Sequence, residues 1–588
     1  MPGKAVKPTA LAADAPRPLA RLSRPPSLQD WLPVVSIPLE CHAEHFHKGM
    51  LELVLHPEQS SSTILRADIL ADEDEASLDA ANLPRMDGYR CVRRVRRRIL
   101  PNRPQFDWAM EQECLFFDSE PLETGDSESL VLLLSDFDRL EQERGERRLP
   151  YYHPQVFALA FRYFSDHSGT TSSLRIDLVP LPDQPLTAPL PPNDRLFRTA
   201  QMLAKYAAKV CNGQAAGFQK RIHHDLLVGR TAVQDTYQRL KDKYQADLDA
   251  LSPSPRITFR WMLNSWQEST DATKHVFEDV AIAAWLVVYW HEVYPESGGK
   301  PPGGFVDVGC GNGLLVYILA SEGYSGYGFD LRERKSWATY TSPRPDLRVQ
   351  SLDPVELLSH HLDHDIPMAK ESGASEATEP TSSWPFPRDS FLIFNHADEM
   401  TPWCPLLAAL TPGDHVGFLN IPCCLHELVG RFERQTYSIP ARFLATLPQP
   451  DRPSPTPPAA ESPSQAVHPL LLPFYAASPP SFRTGGGTKA NPSSAEDVSI
   501  LGGRYHAYQL YLAHLTLRCG FVPAREALRI PSTKNFGLVG GRSAKSPGST
   551  GQDPDEIRDE VRSLVEEVRR RGEWKARRPE GKAGEKSH

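Results

Sequence analysis

The feature that most constrains the fold is Phe305-Val-Asp-Val-Gly-Cys-Gly-Asn-Gly313, an apolar stretch that runs into three glycines at alternate positions. Short apolar runs of this kind extend as strands, and glycine takes up the left-handed backbone of a tight turn without steric penalty. Leu314 to Ala320 then begins a helix. Strand, turn and helix bring the main chain close to a ligand and aim helix N–H groups at it. The spacing is Gly-x-Gly-x-Gly, whereas nicotinamide folds use Gly-x-Gly-x-x-Gly. A second strand, Gly326-Tyr-Gly-Phe-Asp330, ends in an acid about 20 residues after the first glycine, where a carboxylate would hold a ribose diol. Asp307, Gly309, Gly311, Asn312, Gly313 and Asp330 are therefore candidate cofactor-binding residues.

The surrounding texture predicts a parallel α/β sheet. Gly304 to Val308, Gly326 to Leu331, Leu347 to Leu352, Phe391 to Asn395 and Val416 to Ile421 read as short apolar strands, several with helix-like segments between them. Two stretches, 369–388 rich in Glu, Ser, Thr and Pro and 448–499 rich in Pro, Ser and Gly, read as flexible surface insertions. The chain resumes with a helix-like Tyr505 to Cys519 and a strand-like Ala524 to Ile530, which places the sheet domain at 298–541. A charged tail, 542–588, carries an exposed, mixed-charge helix between Pro554 and Arg571.

Upstream, 1–30 is rich in Pro, Ala and Arg without apolar periodicity and is expected to be disordered. Residues 31–190 form an α+β region with strands at Leu130 to Leu134 and Leu174 to Leu181; Val156 to Tyr163 fits strand or helix. Residues 191–297 are helical, with Thr270 or Asp271 as a possible N-cap for the segment ending at Trp290.

Composition bounds the function. A net charge of −9 over 588 residues means that any polyanion contact is local. Nine scattered cysteines without a CxxC pair argue against a disulfide framework or structural zinc, and point to a reducing compartment. No metal is expected. The start lacks the apolar core of a secretory signal and no apolar run is long enough to span a bilayer, so a soluble, cytoplasmic protein without a membrane partner is expected.

Several ordered segments carry a more specific resemblance. They are Phe305 to Leu319, Gly328-Phe-Asp-Leu-Arg-Glu-Arg-Lys-Ser-Trp337, Asn395-His-Ala-Asp-Glu-Met-Thr-Pro-Trp403, Leu419-Asn-Ile-Pro-Cys-Cys424 and Leu528-Arg-Ile-Pro-Ser-Thr-Lys-Asn535. Upstream, Arg97-Arg-Ile-Leu-Pro101, Lys220-Arg-Ile-His-His-Asp225 and Phe277 to Ala283 add to them. With these, the chain resembles the tRNA (uridine 44) 2′-O-methyltransferases that act on serine tRNA. The resemblance implies a class I, Rossmann-like methyltransferase sheet with an N-terminal α+β extension, S-adenosylmethionine as cofactor and serine tRNA as partner. Whether another protein is required is left open.

Methylating a ribose 2′-hydroxyl needs an in-line approach to the methyl donor and a group that takes the proton. Catalytic groups in an open α/β sheet lie beyond the carboxyl ends of the strands. There the sequence places Asn395-His396-Ala-Asp398-Glu399, with His396 as candidate base, Asp398 and Glu399 as orienting groups, and Asn395 toward the cofactor or nucleotide. The same cluster would also serve as a helix cap. Cys423 and Cys424 read as small apolar residues and not as nucleophiles. Glu278 and Asp279 read first as caps of an apolar helix and second as site residues.

Arg90 to Arg98 holds six arginines, of which Arg93, Arg94, Arg96, Arg97 and Arg98 are candidate RNA contacts, together with Lys220, Arg221 and Lys335. The same run fits an exposed strand face or a nuclear signal. Two alternatives stand beside the tRNA reading: methyl transfer to a protein or small molecule, and a non-catalytic RNA-binding module on a degenerate methyltransferase fold.

Overall fold

The computed structural model describes residues 7–12, 14–15, 19, 31–79, 83–104, 106–120, 126–166, 171–182, 184, 186, 189–218, 225–246, 272–340, 343–363, 384–448, 503–530, 532, 534–572 and 574. They fall into two compact units, Met1–Gln219 and Lys220–His588.

The first unit is built on one antiparallel sheet. Its strands are β1 (Thr9–Ala10), β2 (Leu32–Leu39), β3 (Ile64–Asp74), β4 (Tyr89–Pro101), β5 (Met110–Ser119), β6 (Ser127–Ser135), β7 (Ala158–Ser165) and β8 (Ser172–Val179), in the order β1-β2-β8-β7-β6-β5-β4-β3. The segment that fitted strand or helix is thus strand β7. Alternation along the strands divides the apolar side chains between two faces. Phe116, Val131, Phe161 and Ile176 pack on one face against helices α1 (Ala43–Leu55) and α3 (Arg195–Ala215), while Leu115, Phe117, Leu130 and Leu132 pack on the other with Trp31 and Met86. A short helix, α2 (Phe137–Arg144), lies between β6 and β7 in the chain. Helices α1 and α3 approach so closely that a Cβ at Gly49 would lie 2.8 Å from Cys211 Sγ.

The second unit holds a seven-stranded sheet with strands β9 (Phe305–Val308), β10 (Gly326–Asp330), β11 (Asp346–Val349), β12 (Phe391–Asn395), β13 (Gly417–Ile421), β14 (Ala524–Ala527) and β15 (Phe536–Gly541). The order is β11-β10-β9-β12-β13-β15-β14. The first five are parallel, and β15 runs antiparallel between β13 and β14. Helices α4 (Arg230–Ala246), α5 (Ala272–Val293) and α6 (Leu314–Ser321) cover one face; α7 (Pro354–Asp363), α8 (Cys404–Leu410), α9 (Gly503–Arg518) and α10 (Pro554–Arg571) cover the other. Chain order reverses between β9 and β12, and the carboxyl ends of two strands at such a point leave a crevice.

Three expectations meet a different outcome. Helix α10, read as an exposed charged helix, buries Val561, Leu564, Val565 and Val568 in the unit's core; spacings of three and four residues put an apolar stripe under its charges. Trp384 and Phe386, at the end of the first expected insertion, are core residues. Strand β1, inside the stretch 1–30 expected to be disordered, pairs with Val35 and Ser36 of β2. Thr270, Asp271, and residues 369–383 and 449–499 of the two insertions lie outside the described residues. Among the described residues, no helix is long and apolar enough to cross a membrane.

Candidate active site

The glycine turn after β9 has the backbone its sequence requires. Gly309, Gly311 and Gly313 have φ of 73°, 54° and 75°, which L side chains rarely adopt. The N–H of Gly309 and of Cys310 donate to the Phe329 carbonyl, at 2.9 and 3.0 Å, and Gly311 N–H donates to Asp330 Oδ2 at 3.0 Å. Asn312 Oδ1 accepts from the N–H of Leu314, the first residue of α6, at 2.6 Å. Trp337 Nε1 donates to the Gly311 carbonyl and Ser336 Oγ to that of Asn312, each at 2.9 Å, and these bonds fix the turn from behind.

Beyond the turn lies a cleft of about 550 Å³. Asp307, Gly309, Gly311, Asn312, Asp330 and Asn395 line it, as do His396, Asp398 and Glu399. The residues expected to hold cofactor and those expected to act on substrate thus share one cavity. Gly313 stands apart: its absent Cβ would meet Leu347 at 2.7 Å, so it packs the turn against β11 and does not line the cleft.

Helix α5 brings two more carboxyls. Glu278 and Asp279 sit inside the helix, not at its start, and face the cleft at 3% and 7% exposure, so the capping reading is corrected. Glu278 Oε1 is 3.0 Å from His396 Nε2, and Asn395 Nδ2 donates to Asp279 Oδ1 at 3.4 Å. Burial, with Glu278 alongside, pushes the Asp279 carboxyl up to about 7. Burial beside Asp279 and Asp330 holds Asp307 well above the usual carboxylate range. A detectable signal was present in the sequence, because two adjacent acids in so apolar a helix are costly without a task. His275, Gln350, Leu352 and Trp574 also line the cleft, and sequence reasoning missed them. Trp574 is brought there by α10, with Nε1 3.2 Å from Asp353 Oδ1 and its ring 5.2 Å from that of Trp403.

His396 and Asp398 have φ of 54° and 46°, a strained backbone for non-glycine residues that recurs at functional sites. Cys423 Sγ lies 3.7 Å from Asp398 Oδ1 and 3.5 Å from Cys424 Sγ. Burial pushes the Cys423 thiol up to about 12, which opposes a nucleophilic role. Although the sequence suggested no metal ligands, Asp398, Cys423 and Cys424 have ligand atoms within 4.8 Å of one another.

The residues present suit S-adenosylmethionine. Asp307 Oδ1, Asn395 Oδ1 and His396 Nδ1 are buried without a hydrogen-bond partner among the described residues, and a Cβ on Gly311 would enter open space. Buried acids beside an open glycine turn favour a cationic ligand whose polar groups can pair with them.

The basic run lies on a strand. It forms β4, where Arg93 pairs with Asp72, Arg94 with Glu73 and Glu113, and Arg98 with Glu111 and Glu143. Arg97 is 4% exposed and bonds Gln112 and the carbonyls of Leu53 and Val54, so the expectation that it meets RNA is corrected. Arg96 is exposed. Lys335 is exposed in a 3₁₀ turn outside the cleft, whereas Arg332 and Arg334 line it. Lys220 and Arg221 lie outside the described residues, and Asp225, which follows them, pairs with Arg529 at 2.6 Å.

Residues 9–221 match a family model described as "TRM44-like, N-terminal bet v1-like domain", and residues 227–353 match one described as "Predicted AdoMet-dependent methyltransferase". A tRNA (uracil-O(2)-)-methyltransferase of Neurospora crassa is 34% identical over 534 residues, which cover 87% of this chain and 86% of that protein. One from Schizosaccharomyces pombe is 36% identical over 507 residues, covering 85% and 82%. One from Candida glabrata is 30% identical over 585 residues, covering 88% and 89%. No solved structure matches the chain. At this identity along nearly the whole length, with the cofactor turn and the acidic cleft in place, the chain belongs to the family of tRNA (uracil-O(2)-)-methyltransferases.

Proposed function

We propose that this chain methylates the ribose 2′-hydroxyl of uridine 44 in serine tRNA, with the cleft of the second unit as active site. One observation carries the reading. The segment Asn395 to Glu399 leaves the carboxyl end of β12 into the same cavity as the glycine turn, and Glu278 holds its histidine at 3.0 Å.

The strand order, with its reversal between β9 and β12, supports the class I Rossmann-like methyltransferase arrangement. The domain extends beyond 298–541, since α5 and Trp574 contribute to the cleft. Bound S-adenosylmethionine supplies an electrophilic methyl on a sulfonium. Asp330 holds the ribose diol, while Asp307 and Asn395 pair with polar groups of the cofactor. Glu278 orients the His396 ring through Nε2, leaving Nδ1 to take the proton of the 2′-hydroxyl, as a base held by a carboxylate does elsewhere. Asp398 and Glu399 position the ribose. The cell compartment we assign is the cytoplasm.

The test is ribose-methylation mapping on tRNA from cells lacking the gene, with add-back of wild-type, Asp330→Ala and His396→Ala proteins. Wild-type restores the mark. Asp330→Ala loses at least tenfold in S-adenosylmethionine affinity by calorimetry. His396→Ala keeps that affinity but loses about 10²–10⁴-fold in turnover. Full methylation by His396→Ala removes the catalytic assignment, and an unmodified tRNA after wild-type add-back removes the substrate.

A further inference from the structure

Among the large rings that stand in solvent in the first unit are Phe106, 75% exposed, and Tyr151, 67% exposed. A lone exposed apolar side chain is ordinary, but these two are tied together. Asp107, next to Phe106, accepts the N–H of Tyr151 at 3.1 Å and of Tyr152 at 3.3 Å. Tyr152 in turn donates to the Trp108 carbonyl at 2.9 Å, so the loop before β5 and the segment after α2 form one surface.

Guanidinium groups crowd the same surface. The Arg195 guanidinium lies 3.9 Å from the Tyr151 ring centroid and donates to the Tyr151 carbonyl at 2.7 Å. Those of Arg144 and Arg148 lie 4.9 and 5.9 Å from the Trp108 ring. Among the described residues, no carboxylate is in salt-bridge contact with Arg144, Arg148 or Arg195, in contrast to Arg93, Arg94 and Arg98 of strand β4. Arg195 thus stands at the exposed Tyr151 ring and Arg144 and Arg148 at the half-buried Trp108 ring, three guanidinium groups on this surface without a carboxylate partner among the described residues.

Rings with an open face and unpaired guanidinium groups are the chemistry that binds unpaired nucleotides: bases stack on the rings and phosphates meet the cations. We infer that Phe106, Tyr151, Arg144, Arg148 and Arg195 form a stacking platform for single-stranded segments of RNA. The assignment rests on tRNA being the substrate and names where the first unit grips it. Sequence reading placed RNA on Arg93 to Arg98, where acids neutralise most of the charge; the platform lies elsewhere in the fold.

The experiment measures anisotropy of a fluorescein-labelled oligouridylate, and of transcribed serine tRNA, with the full-length protein. Phe106→Ala/Tyr151→Ala is expected to lose at least tenfold in affinity for both. Tyr151→Phe, which keeps the ring, stays within about twofold. Arg144→Ala and Arg148→Ala each reduce the slope of log affinity against log salt by about 0.7. All these side chains are exposed, and a far-UV circular dichroism spectrum and thermal unfolding profile matching wild type verify that the first unit of each variant is folded. Wild-type affinity and salt slope in the double-alanine variant overturn the platform, as does duplex RNA competing as well as the single strand. If wild-type protein binds the oligonucleotide through these residues but does not methylate serine tRNA, the platform stands and the substrate reading falls.

Discussion

Asp279 and Asp307 are carboxyls the folded chain buries before any ligand arrives, and the arrangement costs stability. For Asp279 the sign follows from its raised value. Between the ordinary carboxylate range and about 7, the folded state binds more protons than the unfolded one, so stability contributed by the protonated group is lost as pH rises through that window. Asp279→Asn keeps the neutral form at every pH. Urea denaturation of cofactor-free protein is therefore expected to show the variant gaining on wild type by about 2–3 kcal/mol more at pH 8 than at pH 5. S-adenosylmethionine affinity should fall in the same variant at pH 8, because the charge that the sulfonium and ammonium groups would meet is gone. An advantage that does not change with pH would mean that Asp279 does not titrate in this range.

At the scale of elements, helix α10 shows what patterning alone conceals. Its formal composition is charged, and its ends obey the usual signals: Asp553 accepts the Asp555 N–H at 2.8 Å, and Gly572 closes it at φ 65°. The stripe Val561, Leu564, Val565, Val568 decides where it goes. Leu564→Ala is expected to destabilise the second unit by about 2–5 kcal/mol, while Glu566→Ala on the exposed face stays within about 0.5 kcal/mol; chemical denaturation followed by tryptophan fluorescence separates the two. The same contrast explains what was legible beforehand. Strands β10 and β12 could be read because each is a short apolar run ending in a polar residue, β9 because its short apolar run leads straight into the glycines, and the glycine turn because only glycine fits it. Strand β15 was not, because Phe536-Gly-Leu-Val-Gly-Gly541 is half glycine and takes its place by pairing with β13 and β14. Glu278 and Asp279 were seen but read as caps, since helix position is a tertiary fact. Trp574 was invisible, because it reaches the cleft only through a helix more than 200 residues away in sequence from β11. The arginines of β4 misled for a related reason: their acidic partners lie on neighbouring strands β3 and β5, and for Arg98 also on helix α2, whose placement the sequence did not provide.

At the scale of the molecule, chemistry and grip belong to different units. Every side chain assigned to cofactor or proton transfer lies within Lys220–His588, while the proposed stacking platform lies within Met1–Gln219, and each unit has its own apolar core. A tethered binding unit raises the effective concentration of substrate at the catalytic one without changing the reacting groups. Removing it should therefore act on KM and leave the chemical step nearly intact. A fragment of residues 220–588 is expected to bind S-adenosylmethionine within about threefold of the full chain and to raise KM for tRNA at least tenfold, with kcat falling much less. Steady-state methylation across a tRNA titration, alongside calorimetry with S-adenosylmethionine, measures both. An unchanged KM would place the RNA contacts wholly in the second unit. A lost kcat with intact cofactor binding would mean instead that the first unit orders the catalytic loop at His396 to Glu399, since substrate concentration could not then compensate for its absence.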